Sequence, residues 1–519
     1  MGEVVVTLSR RELLTAFLGA PFAAIACRER VPSLPPGELA GASHEVGHRL
    51  RGAAPPRPSE WEAHDVVIVG AGIAGLAAAW RLAQGGVRDV VLLELEPEIG
   101  GTSRSTASVP WGAHYVVAPS PADRVLTQLL TEMGALEDGV PAEQFLVRDP
   151  EERVFYRGRW YEGLYLYAGA SHEDLRQLRA FEAEIARWSA WRDAQGRRAF
   201  EIPMALGSDD PEVTALDTLS MAQWMDARGF TSPRLRWFVE YACRDDYGTL
   251  LIDTSAWAAI FYFASRDARP VITWPEGNGR IVKHLARSAP ARTGWLAAHI
   301  SPEGEVIALR GNEVRGFRAR RVIFAGPQFV ARRVIPSRQT PPDFTYGSWM
   351  VANITLRARP ASKGFPPAWD NVLYESPSLG YVTATHQRGI EYGPTVLTYY
   401  YPLCGSDAHR ERERLLIGGR EEWAEVALAD LSRAHPEIRE LATRVDVMRW
   451  GHAMVRPLPR FVSSDARRDA AQPHGAIHFA NTDLSGIALC EEALHHGVRA
   501  AEEVLGSVPS PRSAGRGSG

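Results

Sequence analysis

"VVIVGAGIAGLAAAW", residues 66–80, sets three glycines directly after four β-branched residues. The run Val66-Val67-Ile68-Val69 is too short and too continuous for an amphipathic helix, and it predicts a buried parallel strand. Gly70-x-Gly72-x-x-Gly75 followed by "LAAAWRLAQ" then reads as the turn and helix of a dinucleotide-binding unit. Gly70 permits the tight turn, Gly72 lets backbone approach a pyrophosphate, and Gly75 allows the helix to lie close on the strand. Ile73 and Ala74 complete the turn at the helix N-terminus, where free N–H groups and positive partial charge attract an anion. A second apolar strand, "DVVLLE", ends on Glu94, 19 residues after Gly75. A carboxylate there accepts hydrogen bonds from ribose hydroxyls and repels a 2′-phosphate.

At 519 residues and 45% hydrophobic content the chain can bury a large core and form more than one domain. Its net charge of −4, without long runs of like charge, argues against a nucleic-acid partner. Of the 58 Lys and Arg residues only Lys283 and Lys363 are lysine, so a single arginine carries little functional information. The four cysteines include no CxxC pair and no metal-ligand spacing, and no metal is expected.

The N-terminus carries Arg10-Arg11 and then an apolar run, residues 13–26, too short to span a bilayer. This is the pattern of a twin-arginine signal segment, residues 1–27, and it places the protein outside the cytoplasm, in a bacterial periplasm or cell envelope. Cys27 follows "AAIA" and offers a site for lipidation and membrane anchoring. Residues 28–60, rich in Pro, Gly and Ala, read as a linker, so the folded body is expected to begin near Trp61.

After Glu94 comes "EPEIGGTSRS", with Gly100-Gly101, and then "WGAHYV". In these blocks the sequence resembles the flavin-containing amine oxidase superfamily, which includes protoporphyrinogen oxidases and phytoene desaturases. The matching positions are Gly70, Gly72, Gly75, Glu94, Gly100, Gly101 and Gly112-Ala113-His114-Tyr115. The likeness returns in "GAIHFANTDLSGIALCEEALHHGVRAAEEVL", where Asp483 takes the place of an acidic residue near the ribityl and pyrophosphate part of FAD. The resemblance implies an α/β fold, with a discontinuous Rossmann-type FAD-binding domain and an inserted α+β substrate domain. The FAD-binding segments would be residues 61–157, 271–336 and 445–505, the substrate domain residues 158–270 and 337–444, and the tail residues 506–519. The first insert reads as helical from the capping pair Ser171 and Asp174 onward, and the second as sheet.

Three departures bear on substrate. The lysine that many amine oxidases place beside flavin N5 has no counterpart in "GSWMVANITL", around Val351. Leu489 stands at one aromatic-cage position. Thr102 replaces the arginine that often follows the glycine pair, which transfers a pyrophosphate contact to Arg104. Both losses on the substrate side lead away from a simple monoamine or polyamine oxidase. Candidate polar groups near the ring are His114 and His452, since a neutral histidine can take a proton or hold a substrate group. Asp245-Asp246 reads as a cation site, a turn fixture or an arginine partner, and "TYYYPL", residues 399–401 within it, as cavity lining or sheet packing.

The expectation is an exported FAD-dependent oxidoreductase that passes hydride from an amine or a C–C/C–N small-molecule substrate to non-covalent FAD. With a single glycine fingerprint and no nicotinamide domain, dioxygen or a quinone would be the electron acceptor. Two alternatives stand beside it: a desaturase or protoporphyrinogen-oxidase-like enzyme on a hydrophobic substrate, and a non-redox flavoprotein of mutase-like or binding type.

Overall fold

The computed structural model describes residues 34–507 except 53, 107, 267, 339–343 and 391. Arg10-Arg11, Cys27 and residues 508–519, with the signal, lipidation and tail readings that fall on them, lie outside the described residues.

The opening stretch forms strand Trp61–Val69 and helix Ile73–Gln84. Val66, Val67 and Ile68 are almost wholly buried, which is why the run shows no alternation of polar and apolar residues. Trp61–Val69 lies between Val90–Leu93 and Glu313–Phe324, parallel to both, and Ile477–Phe479 adds a further parallel strand to Glu313–Phe324. Ala291–Arg292, Glu305–Arg310 and Leu296–Ile300 complete a seven-stranded sheet. This is the expected doubly wound α/β unit, with the glycine turn at the carboxyl ends of its parallel strands.

A second sheet of eight strands runs in the order Leu39–Gly41, Ala442–Val455, Tyr346–Leu356, Thr395–Leu403, Gly380–Thr383, Asp370–Leu373, Glu152–Tyr156 and Arg159–Glu162. Its long central strand, Tyr346–Leu356, is buried at nearly every position. Helices His172–Ala190, Pro233–Tyr247 and Ala256–Arg266 form a third layer with its own aromatic core, including Phe181, Trp224 and Trp257. Ser171 and Asp174 form the expected capping box, and Trp188 is 2% exposed, a core residue.

Two boundaries differ from the sequence reading. Over its described residues the expected linker is built into the fold: Leu39–Gly41 pairs in parallel with residues 447–449, and a short helix, His44–Gly47, follows. Pro and Gly content suggests a tether, but an open sheet edge supplies unpaired N–H and C=O groups that order any extended segment able to reach it. The other, between FAD-binding and substrate segments, fails at residues 157 and 445, because Glu152–Tyr156 and Ala442–Val455 both belong to the eight-stranded sheet.

Helix Cys490–Ser507 closes the nucleotide-binding unit by packing on Ile73–Gln84. Gly497 makes that possible: a Cβ there would lie 2.2 Å from the Ala74 carbonyl oxygen. Gly497→Val should therefore force the helices apart, cost about 1–3 kcal/mol as core overpacking does, and lower the melting temperature in thermal unfolding. Gly506→Val, at a position whose added Cβ meets nothing within 4 Å, should not.

Candidate functional site

Two glycine turns meet at the end of strand Trp61–Val69. Gly70 has φ +105°, a conformation closed to side-chain-bearing residues, and a Cβ on Gly75 would fall 1.8 Å from the Gly70 oxygen. Gly72 bridges Gly100, the Gly100 N–H donates to the Ala71 carbonyl at 2.8 Å, and a Cβ on Gly101 would lie 3.3 Å from the Gly72 Cα. Gly72 caps the helix in extended conformation with no side-chain acceptor, which leaves the first helical N–H groups for an anion. Ile73 and Ala74 are buried behind this backbone cradle.

Glu94 is 8% exposed, and burial raises its pKa. One carboxylate oxygen accepts from the Ala71 N–H at 2.7 Å and the other from the Glu96 N–H at 2.9 Å. Each oxygen retains a second lone pair for a ribose hydroxyl. Arg104 is also 8% exposed; its Nη1 lies 3.6 Å from Glu96 Oε2, its guanidinium faces Trp450, and its Nε has no partner among the described residues. A side-chain-free cradle, a buried guanidinium whose Nε has no partner among the described residues and a carboxylate at the strand end fit the pyrophosphate and ribose of FAD.

Residues 112–115 are held from the eight-stranded sheet and from residues 273 and 278. Asn353 donates to the Pro110 carbonyl at 3.0 Å, Trp450 Nε1 to Trp111 at 2.7 Å, and the Tyr400 hydroxyl to Gly112 at 2.9 Å. Thr273 donates to the His114 carbonyl, Asn278 Nδ2 to that of Tyr115, and the Asn278 N–H to that of Ala113. His114 Nδ1 lies 3.1 Å from the Gly112 oxygen, and the rings of Tyr115, Trp369 and Tyr400 surround the imidazole at 5.1–5.4 Å. Burial holds the His114 pKa down at about 4, so it is neutral at physiological pH.

His452 lies elsewhere. Its ring stacks on Phe329 at 4.0 Å and meets Tyr346 edge-on, beside a separate cavity of about 210 Å³ that Arg332 and Arg412 also line. Burial, then Arg412, lowers its pKa to about 3. Among the described residues no contact links it to His114. Asp483, 2% exposed, accepts from the Gln328 N–H at 2.7 Å and the Tyr346 hydroxyl at 2.6 Å, and burial lifts its pKa to about 6.

The residues that sequence reading undervalued lie beside His114. Asp246 meets Arg266 through both carboxylate oxygens, at 2.9 and 2.7 Å, so it is an arginine partner. Asp245, one position on around the helix, has no hydrogen bond to its carboxylate among the described residues. Burial pushes its pKa well up, and the charges of Asp246 and Asp370 add to this. Its charge is felt by Tyr115, Tyr241, Tyr262 and Tyr400 and helps to raise their hydroxyl pKa values. Asp370 stands opposite Glu152 in parallel register and accepts from the Tyr241 hydroxyl at 2.8 Å. Burial first and mutual repulsion second raise Asp370 to about 7. Glu152 keeps solvent contact, yet the enclosing protein and the charges of Glu151 and Asp245 raise it also to about 7. The i, i+4 spacing of Tyr241 and Asp245 was a signal available in "YACRDDY"; the Asp370 and Glu152 pairing, 218 residues apart, left none.

Among the described residues no group of three or more His, Cys, Asp or Glu is arranged to hold a metal, and no helix is long and apolar enough to cross a membrane.

A sequence model described as flavin-containing amine oxidoreductase matches residues 73–505. A thiamine thiazole synthase of Sulfolobus acidocaldarius is 42% identical over 77 residues, which is 15% of this chain and 28% of that protein. The chain thus spans little more than a quarter of that relative's length. Among solved structures, wild-type putrescine oxidase bound to putrescine superposes with a TM-score of 0.61 at 17% identity, over 86% of this chain and 100% of that one. Cyclohexylamine oxidase from Brevibacterium oxydans gives 0.60 at 18% identity, over 85% and 99%. Likeness at this level of identity speaks for the fold.

If the cradle holds FAD as its geometry suits, Arg104→Met should weaken FAD binding by about tenfold, the scale of one charge-assisted hydrogen bond. Titrating apoprotein with FAD and following flavin fluorescence measures this. Unchanged affinity would remove Arg104 from the site.

Proposed function

The chain belongs to the flavin-containing amine oxidoreductase family and is an FAD-dependent oxidoreductase; from that premise we propose that its substrate is a cationic amine, oxidised beside residues 112–115. The observation that carries this reading is Asp245, a carboxylate without a hydrogen bond among the described residues, within electrostatic reach of the Tyr115, Tyr241, Tyr262 and Tyr400 hydroxyls. A half-buried carboxylate with no hydrogen bond of its own selects for an ammonium through charge. The same carboxylates disfavour a wholly apolar substrate, which counts against a desaturase acting on one.

FAD, when bound, supplies the two-electron acceptor that takes hydride from the substrate carbon. The protein's own part is orientation. With Nδ1–H donating to Gly112, His114 presents Nε2 as an acceptor for a substrate N–H. Tyr400 fixes that segment, and Asp245, with Asp370 and Glu152 behind it, sets the position of the charged end. We take FAD to be non-covalent: burial pushes the Cys404 thiol up to about 12 and the Cys490 thiol well above its usual range, so neither is a ready thiolate nucleophile. Dioxygen or a quinone is the proposed acceptor for reoxidation. The twin-arginine pattern supports export of the folded, cofactor-loaded protein, and fractionation of the producing cell tests it.

Anaerobic mixing with panels of amines and of uncharged dihydro substrates tests the central reading. Bleaching of the flavin by amines is expected; bleaching only by the uncharged panel would overturn it. Asp245→Asn should raise KM for the amine at least about tenfold, as loss of a desolvated charge pair does, with a smaller effect on kcat. Asp370 and Glu152 ionise near 7, so KM should fall as pH rises from 6 to 8 for an amine that stays protonated throughout. Stability runs the other way. Carboxyls with raised folded-state pKa bind more protons folded than unfolded, so the apoprotein should lose stability between pH 4 and 7. Asp370→Asn should reduce that loss in thermal melts.

A further inference from the structure

Residues 39–51 precede the family match, which starts at residue 73, yet they are bound first to the eight-stranded sheet and then, at successive points, to the nucleotide-binding unit. Leu39–Gly41 extends the edge of the eight-stranded sheet. Two residues later, the Ser43 N–H and the Ser43 hydroxyl both donate to the Glu96 carboxylate, one to each oxygen, at 2.8 Å. Gly47 lies over Leu95, where an added Cβ would sit 3.9 Å from a Leu95 methyl. Leu50 packs on the apolar clusters around Leu93 and Leu296, and Arg49 donates to the Gly311 carbonyl at 3.0 Å. The segment therefore crosses the chain just beyond strand Val90–Leu93, next to Glu94.

The placement of Glu96 gives this crossing a consequence. Its N–H is held by Glu94, and its carboxylate lies 3.6 Å from Arg104, too far for a hydrogen bond. Because Ser43 occupies one lone pair on each Glu96 oxygen, the carboxylate stays turned toward residues 43–44 and leaves the Arg104 guanidinium incompletely paired, with Nε free. A carboxylate released from Ser43 would tighten its 3.6 Å ion pair with Arg104 into a direct charge-assisted hydrogen bond, competing with the cofactor's pyrophosphate.

We propose that residues 39–51 form a strap that retains FAD, with Ser43 as the positioning residue that holds the Glu96 carboxylate back and keeps Arg104 available to the pyrophosphate. This rests on the reading that FAD lies on the glycine cradle.

The test is a double-mutant cycle in the full chain, read out as FAD affinity and dissociation rate by flavin fluorescence rather than as activity. Ser43→Ala should weaken FAD binding by about tenfold, equivalent to about 1.4 kcal/mol, and speed release. Glu96→Gln should bind FAD as tightly as wild type, because a neutral amide does not capture Arg104. Adding Glu96→Gln to Ser43→Ala should restore affinity, a rescue that mere loss of a packing contact would not show. Equal melting temperatures of the four apoproteins would establish that all are folded; if Ser43→Ala is not, the Ser43→Cys cycle replaces it. Wild type that binds FAD with no change in Ser43→Ala, or no rescue in the double variant, overturns the strap. Wild type that binds no FAD overturns the cradle reading itself.

Discussion

Gly72 and Gly100 meet backbone to backbone, and the cofactor end of the molecule is organised by that contact. Side chains on either turn would fill the space where a pyrophosphate must lie; without them, a helix N-terminus, Arg104 and Glu94 converge on one point. The cost of this arrangement is backbone strain, taken at Gly70 and Gly100 with φ above +100°. Parallel strands on both sides of Trp61–Val69, buried on both faces, hold the turns rigidly enough to absorb it.

The eight-stranded sheet does for the substrate side what the glycine turns do for the cofactor. Asn353, Tyr400 and Trp450 come from three different strands, and each donates to a main-chain carbonyl of residues 110–112. A loop that would otherwise drift is thus fixed by groups whose own positions are set by strand register. The same register sets Asp370 against Glu152, an opposition that sheets ordinarily avoid. Its persistence beside Asp245 concentrates negative charge in one region, which a cationic ligand relieves.

The strands and helix of the nucleotide-binding unit were legible because their signals are local: a continuous β-branched run, glycines at fixed offsets, a carboxylate at the next strand end. The capping pair Ser171 and Asp174 was legible for the same reason. Residues 34–60 were misread because composition describes the freedom of an isolated segment, and their order comes from partners some 400 positions away, such as Glu38 with Asp446. The site divides similarly. Arg104 could be proposed from its distance to the glycine pair, whereas grouping His452 with His114 required knowing where strand Ala442–Val455 points its side chains. Asp245 and Asp246 looked equivalent in sequence. A rotation of about 100° around the helix gives one to Arg266 and the other to the tyrosines.

Arg81 and Glu502 are joined by an ion pair across 421 residues of chain, and Gly497 seats the last helix on the first. The first half of the nucleotide-binding unit therefore emerges from the ribosome long before its final strand and helix exist. During that interval Trp61–Val69 and Ile73–Gln84 lack the partners that bury them, and such long-range closure folds slowly. Capture of the cofactor consequently waits until helix Cys490–Ser507 has been made and seated on helix Ile73–Gln84.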